Sequence, residues 1–525
     1  MEEQQELPQG WELVRIADLC QVVAGIGFPK DIQGATSGEL PFYKVSDISI
    51  AVKSGTKYLT GANNFISREQ CAKLKARPLA ENTIVFAKIG EALKLNRRAI
   101  LSTTALVDNN VMGIRADSTV MYPLYCYYFL TTVDLAEYSQ ATTVPAVRKS
   151  DIENIGVPLP PLPEQRRIVA KLEELFSKLD AGVAAVRRTQ ALLKRYRQSV
   201  LHAAVTGELT RAWREAHPAP AETGAALLER IRAERRAQWE AAQVAKRGGQ
   251  LTLGEGWKSK YVEPEAVDVE GLPELPEGWV WATAEQLCTF ITKGSTPEKS
   301  ELFEGQGEIP FVKVYNLTKT GKLDFTINST YVRLKTHNNL LNRSRVFPGD
   351  ILINIVGPPL GKVALVPDSH PEWNINQAIA TFSPLPAYSS KFLLISLLTE
   401  TIMKWLLKTA KTTTSQVNLT LAMCRMVPLP VPPKNEQAEI VAEVERRLTV
   451  LDALSQTLTD ELKRAERLRQ SILHRAFTGR LVPQDATDEP AAALLARLRE
   501  TPTAPAKTKA GRGRKTVAQQ TTLGL

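Results

Sequence analysis

A stretch of about 40 residues occurs twice in this chain of 525 residues, and it limits the possible folds more than any other feature. The two copies span 163–207 and 436–479, and apolar residues recur in both at alternating steps of four and three, the spacing of a coiled-coil heptad. Proline stands only at the start of these runs, and Gly207 and Gly479 can adopt the left-handed conformation that ends a helix. Each copy is therefore predicted to form one long helix.

An apolar stripe of this length needs a partner. At 1.5 Å per residue, about 40 residues span roughly 60 Å, which is too long for one small domain to enclose. One interpretation is an ordinary homodimeric coiled coil, and the other is antiparallel pairing of the two copies inside one chain. The predicted seam positions are Ile168, Leu172, Leu175, Leu179, Gly182, Val186, Thr189, Leu193, Tyr196 and Val200 in the first copy, and Ile440, Val444, Arg447, Leu451, Leu454, Leu458, Glu461, Ala465, Leu468 and Ile472 in the second.

The repeat extends beyond the two helices. LPQGWELVRIADLC at 7–20 returns as LPEGWVWATAEQLC at 275–288, and VPLPPLP at 157–163 returns as VPLPVPP at 427–433. Because the offset between the copies drifts only slightly, the loops differ little in length. The chain is therefore predicted to be a tandem duplication of a globular domain followed by a long helix.

Between these anchors the two globular segments share a rhythm of short β-branched runs but little residue identity. Both are predicted to be mixed α/β (α+β) domains with curved, mainly antiparallel strands, related by an internal pseudo-two-fold repeat. The predicted divisions are domain 1 at 1–161, a long helix at 162–210, a charged helix and linker at 211–270, domain 2 at 271–432, a second long helix at 433–482, and a short helix with a basic tail at 483–525.

Composition adds weaker constraints. The net charge of +10 and the pI near 9.2 favour a polyanionic partner. The five cysteines are scattered and form no CxxC pair, which is typical of a reducing cytoplasm. The N-terminus lacks the basic and apolar regions of a signal peptide. The most apolar run, 392–407, carries Glu400 and Lys404, so it is predicted to be a buried amphipathic helix and not a membrane span.

Motifs that would indicate catalysis are missing from the sequence. GPPLGK at 357–362 is one residue short of a Walker A loop and lacks its Ser or Thr. No Asn/Asp-Pro-Pro-aromatic run is present to hold an exocyclic amine, and the histidines lack metal-ligand spacing. Asp368 and Glu372 resemble a nuclease pair poorly, because Pro371 interrupts them and Lys391 is distant. The chain itself is predicted not to be an enzyme.

Two divergent domains that open with LPxGW and close with VPLPxxP and EQ, each followed by a heptad helix ending in TG, resemble the specificity subunit of type I DNA restriction-modification enzymes. The resemblance runs from Leu7 to about Pro502. It implies that domains 1 and 2 are target recognition domains and that the long helices are antiparallel spacers. It also implies a non-catalytic subunit that binds double-stranded DNA, two adenine-N6 methyltransferase subunits and ATP-dependent endonuclease/translocase subunits. No cofactor is expected in this chain; S-adenosylmethionine, ATP and Mg are implied for those partners.

Three rival interpretations remain open from the sequence. One is the specificity subunit of a type IIB-like restriction-modification system, which neighbouring genes would distinguish. Another is a nuclease or methyltransferase acting alone, which rests only on charge and size. The third is a coiled-coil adaptor that does not bind DNA.

Candidate DNA contacts follow from side-chain chemistry. Arginine, lysine, asparagine and glutamine suit base edges, while lysine and hydroxyl groups commonly hold phosphates. The candidates in domain 1 are Lys44, Lys88, Lys94, Asn96, Arg97, Arg98, Thr142, Thr143, Arg148 and Lys149. Those in domain 2 are Lys293, Ser295, Thr296, Lys313, Tyr315, Asn316, Lys362, Lys411, Thr412, Thr413, Ser415 and Gln416. ATTVPAVRK at 141–149 and AKTTTSQVN at 410–418 precede equivalent strands and are the preferred segments.

Overall fold

The computed structural model describes residues 7–139, 144–218, 220–246, 255–357, 359–409, 411–413 and 416–500. These residues form two compact units: unit 1 draws on 1–185 and 461–525, and unit 2 is formed by 186–460. Both long helices cross a boundary between the units. Each unit therefore contains one globular domain, the start of one long helix and the end of the other.

The elements of domain 1 are short, and the first long helix follows them. The strands are β1 (Glu12–Arg15), β2 (Cys20–Ala24), β3 (Leu40–Tyr43), β4 (Tyr58–Leu59), β5 (Phe65–Ile66), β6 (Ile84–Ala87), β7 (Arg98–Leu101), β8 (Leu106–Val107), β9 (Val111–Ala116) and β10 (Gly156–Leu159). The helices are α1 (Ile16–Leu19), α2 (Val45–Lys53), α3 (Arg68–Lys73), α4 (Glu91–Lys94), α5 (Pro123–Thr132), α6 (Lys149–Glu153) and α7 (Leu162–Val205).

The remaining elements repeat this order with additions. The strands are β11 (Val280–Thr283), β12 (Cys288–Lys293), β13 (Leu302–Glu304), β14 (Ile309–Val312), β15 (Thr330–Val332), β16 (Arg345–Val346), β17 (Ile351–Asn354), β18 (Val363–Leu365), β19 (Trp373–Ile375), β20 (Ile379–Pro384), β21 (Lys411–Thr413), β22 (Gln416–Asn418) and β23 (Pro428–Val431). The helices are α8 (Arg211–Ala216), α9 (Gly224–Lys246), α10 (Ala284–Leu287), α11 (Leu334–Asn339), α12 (Ser390–Leu397), α13 (Glu400–Thr409), α14 (Leu421–Arg425), α15 (Lys434–Phe477) and α16 (Ala491–Glu500).

Domain 1 contains a main sheet in the order β2-β9-β6-β7-β4 and a smaller sheet in the order β5-β3-β8. Most neighbouring strands are antiparallel, and the exceptions in domain 1 are β3 with β8 and β4 with β7. Every residue of β6 is buried, as expected for a central strand covered on both faces. The core between this sheet, α5 and the start of α7 includes Phe86, Tyr125 and Leu172, each at most 1% exposed.

Domain 2 has the same plan. Its sheets run β12-β20-β17-β18 and β13-β15-β14-β19-β16, with only β14 and β19 parallel among the described pairs. The first and last strands of each domain pair with each other, β1 with β10 and β11 with β23, which places the start of the domain beside the start of its long helix. The mixed, mainly antiparallel fold predicted from the sequence is confirmed.

Two equivalent glycines let loops approach each other in the domains. A Cβ added to Gly25 would lie 1.9 Å from the carbonyl oxygen of Asp108, and one added to Gly294 would lie 2.1 Å from that of Ile375. Any side chain at these positions would clash with backbone. Glycine therefore permits the same close contact at the end of β2 and at the end of β12.

Helices α7 and α15 have 44 residues each, about 66 Å at 1.5 Å per residue. Glu164 and Glu436 lie in their first turns, where a carboxylate interacts favourably with the helix dipole. Gly207 and Gly479 follow the helix ends with φ of 75° and 69°. The prediction of one long helix per copy is confirmed.

The two long helices run antiparallel in each unit. In unit 2, Arg197 of α7 pairs with Asp452 of α15, and Arg214, just after α7, pairs with Glu436 at the start of α15. In unit 1, Asp180 pairs with Arg469, while the earlier Arg167 pairs with the later Asp488. Higher residue numbers in and after α7 therefore pair with lower residue numbers in and after α15. This confirms the interpretation in which the two copies pair antiparallel inside one chain.

The predicted seam is only partly buried. Ile168, Leu172, Ile440 and Val444 are at most 1% exposed, because a globular domain packs against the helices near their N-termini. Tyr196, Leu454 and Leu468 are 47–49% exposed, so the seam prediction is wrong at these three positions. Where no globular domain covers the two paired helices, they cannot enclose the whole apolar stripe by themselves.

The apolar run 392–407 forms two helices, α12 and α13, and not the single helix predicted. It is buried as expected, with Phe392, Leu397 and Leu406 fully enclosed. Among the described residues, the helices are too short or too polar to span a membrane.

Candidate nucleic-acid interface

Domain 1 has a junction where four backbone segments meet at the turn formed by 108–110. The N–H of Gly25 donates to Val111, and that of Asp108 donates to Tyr43, the residue before Lys44. The N–H of Lys88 donates to the carbonyl of Asn110. These bonds bring the loop after β2, the end of β3 and the end of β6 to one place.

Two of the lysines that were predicted to contact DNA lie at this junction. Lys44 donates from Nζ to Gln33 Oε1 at 2.6 Å and lies 5.1 Å from the centroid of the Phe28 ring. Burial raises the pKa of the Asp108 carboxyl, while the Asn110 N–H and the ammonium groups of Lys44 and Lys88 act in the opposite direction. Lys44 and Lys88, far apart in sequence, are thus gathered around one carboxylate.

The preferred segment of domain 1 lies beside an extension of β6. The carbonyl of Lys88 accepts from the N–H of Val147, and the N–H of Gly90 donates to Pro145. Arg148 is exposed at the start of α6, and Lys149 pairs with Glu153 at 3.4 Å. Thr142 and Thr143 lie outside the described residues, so their predicted contacts stay untested.

Asn96 and Arg98 have structural roles. Arg98 is 3% exposed and its guanidinium donates to the carbonyl of Asn96 and to Asn96 Oδ1, while Asn96 Nδ2 donates to the carbonyl of Val133. Burial lowers the pKa of Arg98 to about 10. The enclosed Arg98 cannot reach a duplex, so its prediction as a DNA contact is wrong. Charge alone could not reveal that it ties β7 to the segment after α5.

Lys94 and Arg97 stay at the surface near α4. Lys94 is exposed and forms an ion pair with Glu91 at 2.8 Å, and Arg97 is half-buried. Neither is brought to the junction by a described hydrogen bond. Their DNA contacts remain predictions.

Domain 2 repeats the junction at 376–378. The N–H of Asn376 donates to Val312, the residue before Lys313, and the N–H of Ile355 donates to Ala378. Gly294 donates to Ile379 in the same place. The loop after β12, the end of β14 and the end of β17 therefore meet as their counterparts do in domain 1.

Several residues of domain 2 that were predicted to contact DNA surround this junction. Lys293 and Ser295 are exposed beside Gly294, and Thr296 Oγ1 accepts from the N–H of Gln377 at 3.3 Å. Lys362 donates from Nζ to the carbonyl of Val314 at 3.3 Å. The structure therefore places Lys362 next to the turn that begins at Lys313.

Lys313 and Tyr315 form one surface contact, while Asn316 is internal. Nζ of Lys313 lies 5.9 Å from the ring centroid of Tyr315, whose hydroxyl donates to Asn328. Asn316 is 1% exposed and donates to the carbonyls of Asp324 and Ile327. Since its amide closes a loop, the prediction that Asn316 contacts DNA is wrong.

The preferred segment of domain 2 contributes two short paired strands. β21 and β22, which contain Lys411, Thr412, Thr413 and Gln416, pair antiparallel, and the N–H of Leu419 donates to Ile355 beyond β17. Ser415 lies outside the described residues. Both preferred segments thus lie beside the extension of an equivalent central strand.

Sequence reasoning missed the polar residues of the two turns. Asn109, Asn110 and Gln377 are exposed at the junctions and carry amides that suit base edges. Aligning VDNNV at 107–111 with INQAI at 375–379 would have indicated them. Among the described residues there is no group of three or more His, Cys, Asp or Glu placed to hold a metal ion.

Comparison with known proteins identifies the class. Residues 8–184 and 276–464 match the sequence model of the family described as the type I restriction modification DNA specificity domain. The matches cover most of the chain, which therefore belongs to this family. It is a non-catalytic specificity subunit of a type I restriction-modification system, the component that selects DNA sequence.

Particular relatives are similar over most of their length. The EcoKI specificity subunit of Escherichia coli (strain K12) is 23% identical over 522 residues, covering 97% of this chain and 98% of the relative. The EcoDI specificity subunit of Escherichia coli is 27% identical over 397 residues, covering 72% and 76%. A chain solved in work on complex assembly and conformational transition of the type I R-M system is 20% identical with a TM-score of 0.61, covers 90% of this chain and 99% of that one, and shows the same fold.

Proposed function

We propose that the chain reads an asymmetric, bipartite DNA target, with one half-site for each domain. The supporting observation is that two domains with little sequence identity build the same junction, from Gly25, Lys44 and Lys88 in one and from Gly294, Lys313 and Ile355 in the other. A shared framework with different surface side chains suits readers of two unrelated half-sites. The target recognition domains are proposed to be 1–161 and 271–432.

We propose that the long helices hold two methyltransferase subunits. Leu192, Tyr196, Val450 and Leu454 are 47–54% exposed on helices α7 and α15. Large apolar side chains grouped at helical spacing on a surface are typical of interfaces. Because the helical framework is present twice, it offers equivalent places to two copies of one partner.

Endonuclease/translocase subunits would join this assembly, with S-adenosylmethionine, ATP and Mg bound by the partners. The cytoplasm is the proposed compartment, since the five cysteines are free. A type IIB-like system is not favoured by the relatives, and a separate translocase gene beside this one would decide the matter.

The experiment lengthens the two long helices, α7 and α15, equally. Seven residues inserted beside Asp180 in α7 and seven beside Arg469 in α15 preserve the heptad and add about 10.5 Å. We expect the same two half-sites to be methylated with a spacer longer by about 3 base pairs, since DNA rises about 3.4 Å per base pair. Sequencing of methylated adenines in cells that also carry the methyltransferase partner measures this.

The control inserts the same seven residues beside Val269, which is 59% exposed in the connection to domain 2. With this variant, the two half-sites should still be separated by the original number of DNA base pairs. An unchanged spacer in the helix variant would contradict the role of the helices as a ruler, and absence of adenine methylation with the intact chain would contradict the proposed function.

A further inference from the structure

The start of α15 carries a buried carboxylate with a full set of partners. Glu436 is 1% exposed, and its Oε2 accepts from Trp279 Nε1 at 2.8 Å. Its Oε1 accepts from Thr210 Oγ1 at 2.8 Å and from Arg214 Nη1 at 2.6 Å. The guanidinium carbon of Arg214 also lies 5.9 Å from the centroid of the Trp279 ring. In unit 2, the charge is neutralised by a cation from the same chain.

The start of α7 carries the equivalent carboxylate without that cation. Glu164 is 1% exposed and its Oε2 accepts from Trp11 Nε1 at 3.1 Å. Its Oε1 is buried and accepts no hydrogen bond from the described residues. A buried carboxylate oxygen that accepts no hydrogen bond is costly, so this position needs a separate explanation.

The surroundings of the two carboxylates are otherwise alike. Gln165 and Gln437, the next residues, donate from Nε2 to the carbonyls of Pro160 and Pro432, each at 3.0 Å. The hydroxyls of Tyr125 and Tyr388 donate to equivalent proline carbonyls, at 158 and 430. The difference is therefore local to Oε1.

The missing cation follows from a shorter loop. The N–H of Gly224 donates to the carbonyl of Gly278 at 2.7 Å, and that of Ala491 donates to Gly10 at 3.0 Å, so Gly224 and Ala491 are equivalent. From Gly207 to Gly224 the chain has room for α8, which carries Arg214. From Gly479 to Ala491 the connection is shorter, and its residues, all of them described by the structure, form no helix between α15 and α16. The arginine of that connection, Arg480, is exposed directly after Gly479, so no described residue there takes the place of Arg214.

A cavity of about 400 Å³ lies at this position in unit 1. Its lining includes Trp11, Glu12, Glu164, Asp485 and Asp488. Among these, Asp488 pairs with Arg167 at 2.6 Å. Burial raises the pKa of the Glu164 carboxyl, while the hydrogen bond from Trp11 and the positive charge of Arg167, which itself pairs with Asp488, oppose that rise. The space is thus bordered by an indole ring and an excess of carboxylates, which favours a planar cation.

We propose that this cavity, here called the Glu164 pocket, receives an arginine side chain from the methyltransferase subunit. The arginine would bind Glu164 Oε1 and face Trp11 as Arg214 binds Glu436 and faces Trp279. A guanidinium is favoured over a compact ammonium or metal ion because the same carboxylate and ring hold one in unit 2. This inference rests on the proposed function, in that a partner subunit must be present.

Glu164→Gln is the central test. In assembly with the methyltransferase subunit, the variant should bind about 30-fold more weakly, since removing one member of a charged pair at an interface leaves the other charge buried and unpaired. The thermal midpoint of the free chain should stay the same or rise, because the free chain loses a buried carboxylate oxygen that accepts no hydrogen bond. Titration of the partner and a thermal scan of the free chain measure the two effects.

Glu436→Gln is the matched control, and it should lower the thermal midpoint of the free chain because Arg214 loses its partner. Affinity of the Glu164 variant within twofold of the original chain would overturn the proposal. A midpoint lowered as far as in the Glu436 variant would also overturn it, since that indicates a purely structural role. If the midpoint falls in the full chain but not in a chain ending at Glu500, the pocket holds this chain's own residues and the proposal is wrong.

A small probe separates this inference from the proposed function. Ethylguanidinium should show saturation-transfer NMR contact with the free full chain, and Glu164→Gln should abolish it. If the original chain does not bind the methyltransferase subunit, the proposed function fails while ethylguanidinium binding still supports the pocket. If ethylguanidinium contacts the original chain no more than the variant, the pocket assignment is overturned.

Discussion

Replacing Glu436 by alanine should lower the free energy of unfolding of unit 2 by about 3–5 kcal/mol, the usual cost of removing one partner of a buried ion pair. The carboxylate accepts hydrogen bonds from Trp279, Thr210 and Arg214, and the Arg214 side chain is only 25% exposed. All three donors would lose their acceptor at once. Hydrogen exchange of peptides from domain 2, together with the thermal midpoint, measures the loss.

The matched control is Asp452→Ala on the same helix. Asp452 pairs with Arg197, but its own side chain is 39% exposed, so solvent screens the pair. We expect a loss of about 1 kcal/mol or less. Equal losses for the two variants would contradict the view that the buried cluster at Glu436 anchors domain 2 to its helix.

Changing both Lys44 and Lys88 to glutamine should weaken DNA binding by the assembled complex about 100-fold. Hydrogen bonds to charged groups contribute about 1.5 kcal/mol or more each, and both lysines lie at the Asp108 junction. The slope of log affinity against log salt should fall by about 2, because each phosphate contact contributes about 0.9. Affinity measured at several salt concentrations gives both quantities.

Lys53→Gln serves as the control for charge alone. Lys53 is exposed at the last turn of α2, whereas Lys44 immediately precedes the first turn of the same helix. This variant should keep its affinity within about twofold, as expected for a screened surface charge. If Lys53→Gln weakens binding as much as the double change, the junction of domain 1 is not the contact surface.

The sequence alone predicted the two long helices and the duplicated α+β domains. This succeeded because heptad spacing and repeated motifs are local signals, and the helices Leu162–Val205 and Lys434–Phe477 follow them closely. The seam prediction was wrong at Tyr196 because burial of a side chain there depends on whether a globular domain or another protein covers the paired helices.

The candidate site was harder to predict because it depends on which segments meet in space. Arg98 and Asn316 have the residue types of DNA contacts, yet both are buried and close loops. Lys44 and Lys88 come together only through a turn at 108–110, which joins segments that are far apart in the sequence. Side-chain chemistry identified suitable residues, and tertiary packing decided which of them reach the surface.

No local sequence pattern indicated that Glu164 and Glu436 differ in their partners. Arg214 is 222 residues from its partner in sequence, so its role emerges only from the fold. Once the Gly207 and Gly479 loops are compared, the shorter loop is seen to lack helix α8, and its arginine, Arg480, is exposed directly after Gly479.

The proposed function has two different domains reading two different half-sites. Sequencing of methylated adenines in cells carrying this chain and its methyltransferase partner tests it most directly. We expect one asymmetric motif made of two unrelated half-sites, separated by a spacer of fixed length and unspecified sequence, with a methylated adenine in each half. A continuous or palindromic motif, or methylation confined to one half-site, would contradict it.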